Sequence, residues 1–136
     1  MKNKNLVLMV VGVVLVLLVG LFVFFNKPKE KINVYLFWGN GCGFCERAKQ
    51  FFSNMDSEYT KYYNLVEREV WYNEDNKELM TKVANELGTQ AKGVPFIVIG
   101  DEYFSGYASS MDEDIKETIV SQYNNEDYVD IVEKVK

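Results

Sequence analysis

Gly39–Phe52 reads GNGCGFCERAKQFF and holds both cysteines of the 136-residue chain, Cys42 and Cys45. Upstream, Ile32–Trp38 (INVYLFW) is β-branched and aromatic and runs into glycines, the pattern of a buried strand. Downstream, Phe44, Ala48, Phe51, Phe52 and Met55 recur at helical spacing and predict one apolar stripe on a helix that starts near Cys42. Cys45 shares that stripe, and Cys42 falls at the helix mouth. The first amides of a helix have no intrahelical partners and carry the positive end of its dipole. A thiolate at position 42 is therefore favoured, and its pKa is expected to be modestly depressed. The i, i+3 spacing brings Cys45 onto the same face, within reach of a disulfide.

Three chemistries compete for such a pair. A structural zinc site wants four ligands, commonly Cys and His; this chain offers two cysteines and no histidine. A purely structural disulfide would close a very short loop and restrict the unfolded chain little. A redox couple uses both the helix mouth and the spacing.

Outward from the motif, the chain alternates strand and helix signals. Leu65–Tyr72 (LVEREVWY) predicts a second strand. Asp75 with Glu78 resembles a capping box before an apolar face of Leu79, Met80, Val83, Ala84 and Leu87, which Gly88 is placed to stop. Pro95–Ile99 (PFIVI) predicts a third strand. Gly100-Asp101 is a two-residue hairpin signal, and Glu102–Tyr107 is the return strand. Ser110 with Glu113 is a further capping box, opening a helix whose face is Ile115, Ile119, Val120 and Tyr123. Tyr128, Ile131, Val132 and Val135 predict a short terminal helix, conditional on packing. The order β-α-β-α-β-β-α with a tail implies an α/β sheet of mixed direction.

Over Ile32–Asn125 the chain resembles the thioredoxin-fold thiol–disulfide oxidoreductases. The carrying residues are Phe37-Trp38, Cys42-Gly43-Phe44-Cys45 at a helix start, Gly93-Val94-Pro95 opening the third strand, and Gly106 after the fourth. The resemblance implies a central four-stranded mixed sheet flanked by helices, with Cys42 and Cys45 as the catalytic pair. It implies a cis Pro95 beside the pair, and a Val94 that offers backbone groups to an extended substrate by strand addition. Phe44 takes a variable position that tunes reactivity and can touch partners. Gly43 and Trp38 are supporting residues. No metal, nucleotide or flavin cofactor is implied. Thioredoxins proper carry a buried acid two residues before the position of Trp38; here that residue is Leu36. Glu46, Glu69 and water are the candidates for relaying a proton from Cys45, and none is assigned.

Two features lie outside the motif. Leu6–Phe25 (LVLMVVGVVLVLLVGLFVFF) has no charged or polar side chain, and twenty helical residues rise about 30 Å, the thickness of a bilayer's hydrocarbon. A signal peptide usually has a shorter apolar region and a small-x-small cleavage site; Phe22–Asn26 offers none, so the reading is an uncleaved anchor. Residues 1–5 form a short basic tail, 6–25 the transmembrane anchor, 26–31 a charged linker, 32–125 the thioredoxin-like domain and 126–136 the tail. The expected place is the cell membrane, single-pass, with the C-terminal domain on the extracytoplasmic side. The chain has 15 basic residues, of which Lys2 and Lys4 precede the anchor, leaving 13 against 20 acidic and a net charge of −7 for the rest. That balance argues against nucleic acid as a partner. The expected partners are protein substrates with thiols or disulfides, a redox partner of unknown identity, and the membrane through residues 6–25. The expected function is membrane-tethered thiol–disulfide exchange, more reductase or isomerase than oxidase. The alternative is a peptide-binding thioredoxin-like module, an accessory to export or maturation without redox turnover.

Overall fold

The computed structural model describes residues 2–25 and 29–136. Residues 26–28 of the expected linker, and Met1 of the expected tail, lie outside the described residues. The chain divides into two compact units, Met1–Glu30 and Lys31–Lys136.

The first unit is one helix, α1 (Lys2–Phe25). Its apolar side chains from Leu6 to Phe25 are exposed, and it is long and apolar enough to cross a membrane.

The second unit is built on β1 (Ile32–Trp38), α2 (Gly43–Ser53), the short α3 (Ser57–Thr60), β2 (Tyr63–Glu69) and α4 (Glu74–Glu86). The chain continues through β3 (Phe96–Ile99), β4 (Glu102–Ser105), a 3-10 turn at Ser109–Met111, α5 (Asp112–Asn124) and α6 (Ile131–Val135). The strands form one mixed sheet in the order β2-β1-β3-β4. β1 runs parallel to β2, with Ile32 opposite Tyr63 and Trp38 opposite Glu69. β3 is antiparallel to both β1 and β4. This is the thioredoxin-like arrangement.

β1 is central, and a central strand covered on both faces must be apolar on both. Val34 and Leu36 pack with Ile97 and Ile99 against Ala48 and Phe52 of α2 and Ile115 and Ile119 of α5. Tyr35 and Phe37 pack with Phe96 and Val98 on the opposite face, against Met80, Val83 and Ala84 of α4 and Ile131 and Val132 of α6. The alternation of β1 thus splits the core in two, and α2 is held flat against one half with its N-terminus at the carboxyl end of β1.

Several local expectations shift. β2 is Tyr63–Glu69 rather than Leu65–Tyr72, because the Glu69 carboxylate accepts from the backbone N–H groups of Trp71 and Tyr72, both at 2.9 Å, and turns the chain out of the ladder. β4 closes at Ser105, since Gly106 takes φ +80°. α4 is capped two residues earlier than expected, by Asn73, whose side chain accepts from Asn76 N–H at 3.0 Å. The Ser110–Glu113 capping box does not form, because Ser110 lies inside the 3-10 turn and Met111 stands at the helix start. The tail does pack. The Asp130 side chain caps α6 by accepting from Glu133 N–H at 3.0 Å, and it also accepts from Asn33 Nδ2 and from the Tyr35 hydroxyl, each at 3.0 Å.

Candidate active site

β1 ends at Trp38, and the chain must then reverse onto α2 within four residues. Gly41 makes this possible with φ +92°, and Cys42 N–H closes the turn on Gly39 C=O at 3.1 Å. Cys42 itself is the N-cap residue of α2, with extended φ −78° and ψ 110°. Its sulfur sits where a capping oxygen normally would and accepts from Cys45 N–H at 3.1 Å. Glu46 N–H then bonds Cys42 C=O at 3.1 Å and opens the helix ladder. Cys42 and Cys45 are joined as a disulfide, their Cα atoms 5.2 Å apart. Cys45 is fully enclosed and Cys42 is 8% exposed.

The fold brings Val94 and Pro95 to this pair. The Val94–Pro95 peptide bond is cis, and Val94 C=O lies 3.8 Å from Cys42 Sγ. The two segments are 52 residues apart in sequence and meet because β1 and β3 are sheet neighbours.

The remaining expected residues divide. Gly43 is the first residue of α2, with open space where a Cβ would stand. Phe44 leaves the apolar stripe and points outward, 56% exposed, with the Arg47 guanidinium 4.4 Å over its ring. Trp38 is half-buried against the α2–α5 half of the core, and the Lys49 ammonium sits 2.9 Å from its ring centroid. Leu36 is fully buried. Of the proton-relay candidates, Glu46 faces solvent and pairs with Lys49 at 3.7 Å, and Glu69 is engaged elsewhere.

Sequence reasoning missed Trp71, and it named Glu69 only as a proton-relay candidate, whereas the carboxylate ties backbone turns together. Besides Trp71 and Tyr72, the Glu69 carboxylate accepts from Asn40 N–H at 3.3 Å, in the turn that leads to Cys42. Desolvation on its own raises the Glu69 pKa. The N–H groups of Tyr72, Trp71, Asn40 and Asn73 outweigh it and hold the carboxyl below its ordinary value. The Trp71 indole lies directly on Gly39, where a Cβ would overlap three of its ring atoms. Trp71 is nevertheless 54% exposed. The signal for this contact was the parallel register, since pairing Trp38 with Glu69 sets residues 39–41 beside 70–72. Composition and periodicity do not reveal it.

Chemically, the arrangement holds a disulfide at a helix N-terminus with the Val94 carbonyl 3.8 Å from Cys42 Sγ. That suits thiol–disulfide exchange. No curated protein matches the chain. The glutaredoxin family model matches residues 33–104, from β1 through β4. The match covers more than half of the chain and spans both the Cys42–Cys45 pair and the Val94–Pro95 turn, so the chain belongs to the glutaredoxin family of thioredoxin-like thiol–disulfide proteins.

Proposed function

We propose that this protein is a membrane-tethered thiol–disulfide oxidoreductase acting on protein substrates, with Cys42 as nucleophile and Cys45 as the resolving thiol. The observation that carries the reading is the position of Cys42 Sγ at the N-cap of α2, receiving the Cys45 N–H at 3.1 Å with the Val94 carbonyl alongside. In the reducing direction, the Cys42 thiolate attacks one sulfur of a substrate disulfide. A Cys42–substrate mixed disulfide forms and the other substrate sulfur leaves as a thiolate. The Cys45 thiolate then attacks Cys42 Sγ, forms the Cys42–Cys45 disulfide and releases the second substrate thiolate. The substrate gains two electrons and the protein loses two, which an external dithiol must restore. The protonation of leaving thiolates is left to water, since Leu36 replaces the buried acid and Glu69 is committed to backbone N–H groups.

Val94 and Pro95 support substrate alignment by presenting backbone next to Cys42. Phe44 supports it by presenting an exposed ring from the residue that precedes Cys45 in the motif. The apolar length of α1 supports a single-pass anchor, and the short basic tail with Lys2 and Lys4 ahead of it, like the start of an export signal, supports a domain on the extracytoplasmic side. A reductase or isomerase is favoured over a dithiol oxidase because no histidine sits between the cysteines. The amide at the helix mouth is then the main stabiliser of a thiolate there, and strong oxidants need more than that. The exposed Phe44 and Trp71 favour, as a second reading, a peptide-binding module without turnover. Insulin-disulfide reduction by the full chain in neutral detergent separates the two. Turnover lost in Cys42→Ser supports exchange, and absence of turnover with an intact fold supports binding alone.

A further inference from the structure

We infer that the groove beside the Val94–Pro95 turn is a side-chain pocket that selects protein substrates carrying an aspartate or glutamate directly beside their reactive cysteine. Trp71 forms its wall and Lys92 supplies its charge. The inference rests on the exchange reading above.

The groove has a volume of about 280 Å³ and is lined by Trp71, Met80, Lys77, Lys92 and Val94 among others. Its position ties it to the chemistry, because Val94 is both a wall of the groove and the residue whose carbonyl lies 3.8 Å from Cys42 Sγ. An extended segment pairing its main chain with Val94 rises about 3.3 Å per residue and sends alternate side chains to the same face. A substrate cysteine turned toward Cys42, on the α2 face of the sheet, therefore turns its immediate neighbours to the opposite face, where Met80 and Val94 line the groove.

The wall is pre-set. Trp71 is seated on Gly39 and its N–H is held by Glu69 at 2.9 Å, yet more than half of it is exposed. A large aromatic that is fixed before binding loses little conformational entropy on contact. Its apolar face suits the methylenes of an acidic side chain.

The charge points to one occupant. The region from Lys27 onward is strongly acidic overall, yet both ionisable side chains lining this groove are lysines. Lys77 is shared with the exposed Glu74 at 3.3 Å. Lys92 makes no ion pair or hydrogen bond among the described residues and is exposed. An unpaired cation beside the exchange site of an otherwise acidic surface favours a carboxylate and disfavours a lysine or arginine.

Binding is measured on the full chain in neutral detergent with both cysteines replaced by serine, so that no redox step is needed. Three extended peptides carry serine in place of cysteine and differ only in having glutamate, asparagine or lysine beside it. Intrinsic tryptophan fluorescence reports binding. The glutamate peptide is expected to bind about 3–10-fold tighter than the lysine peptide at low salt, the range of one or two exposed ion pairs. The ratio should shrink toward one at 0.5 M salt. Lys92→Met should bring the ratio close to one, and Lys92→Glu should invert it. The same order should appear in mixed-disulfide formation when the reduced Cys45→Ser chain meets the corresponding cysteine peptides activated as disulfides with thionitrobenzoate: the Cys42 thiolate attacks the peptide sulfur and thionitrobenzoate leaves. Equal binding of the three peptides, binding of none, or a ratio unchanged by Lys92→Glu overturns the pocket. Graded binding without any mixed disulfide would instead overturn the exchange reading and leave the pocket standing.

Discussion

Cys42 and Cys45 stand one helical turn apart and meet different surroundings. Cys42 Sγ takes the place of a capping oxygen and accepts an amide N–H, whereas Cys45 is sealed among the side chains of α2 and the sheet. With both reduced, Cys42 is expected to alkylate at least about tenfold faster than Cys45, because the amide stabilises its thiolate and Cys45 has no path to reagent. Mass spectrometry of iodoacetamide-quenched protein gives the two rates. A faster Cys45 would mean that the helix mouth does not set the nucleophile. Gly39 is equally specific in its demand. A methyl group there would enter the Trp71 indole, so Gly39→Ala should either expel the ring or strain the turn before Cys42. The expected cost is about 1–3 kcal/mol, with a red shift of tryptophan emission if the ring leaves. Unchanged urea stability and emission would show that Trp71 does not rest on Gly39 in solution.

At the scale of elements, two polar devices fix what the apolar core leaves loose. The first is the Glu69 carboxylate, which ties the turn before Cys42 to the turn after β2. Its pKa is held below the ordinary value in the fold, so the ionised tie is complete above the usual carboxylate range, near pH 4.3. The tie is lost as pH falls through the lower folded value. Hydrogen exchange at Asn40, Trp71 and Tyr72 should therefore become faster in acid, after correction for intrinsic rates. In Glu69→Ala it should already be fast at neutral pH. Protection that ignores both pH and the substitution would remove Glu69 from this role. The second device anchors α6. The Tyr35 hydroxyl, inside the sheet, donates to Asp130 at 3.0 Å and lies 3.2 Å from Glu133. Burial first, and these two carboxylates next, push the Tyr35 pKa far up, and burial with Asp130 pushes Tyr128 up to about 12. The sign is that of raised groups. Their support is complete below the ordinary tyrosine value of 10.0 and fades as pH rises through the folded values. Docking of α6 should thus weaken above pH 10, less so in Tyr35→Phe. Deleting residues 130–136 should cost about 2–4 kcal/mol in urea unfolding, the burial of Ile131 and Val132 being the main loss. A deletion without cost would mean that the tail does not pack.

For the whole molecule, an apolar helix long enough to cross a bilayer is joined to an acidic redox domain. An impermeant maleimide applied to intact, reduced cells should label Cys42 in a membrane-bound protein of full length. Labelling only after lysis would reverse the proposed orientation, and recovery of a shortened form in the soluble fraction would remove the anchor. Equilibration of the full chain against glutathione buffers should place the Cys42–Cys45 couple in the reducing to intermediate part of the range of about −270 to −120 mV. A value near −120 mV would turn the reductase or isomerase proposal into an oxidase.

The sequence alone determined the order of the four strands and the longer helices between and after them, the strand before the cysteines, the helix on them and the hairpin at Gly100-Asp101, because each is written in local periodicity and turn chemistry; the short α3 and the 3-10 turn at Ser109–Met111 were not legible in it. It also determined that an α/β sheet would be mixed, since a crossover and a hairpin lie on the same sheet. Only the tertiary structure decided where α4 is capped, where β2 stops, and that Phe44 faces solvent while Cys45 does not. Only it decided that Trp71 belongs to the site and that Glu69 acts there as a tie between turns. Their partners, Asn40 and Gly39, lie about thirty residues away and are reached through the parallel pairing of β1 with β2. A periodic pattern states which face of an element is apolar. It does not carry the register that places one turn beside another, and that register fixes the groove next to Cys42.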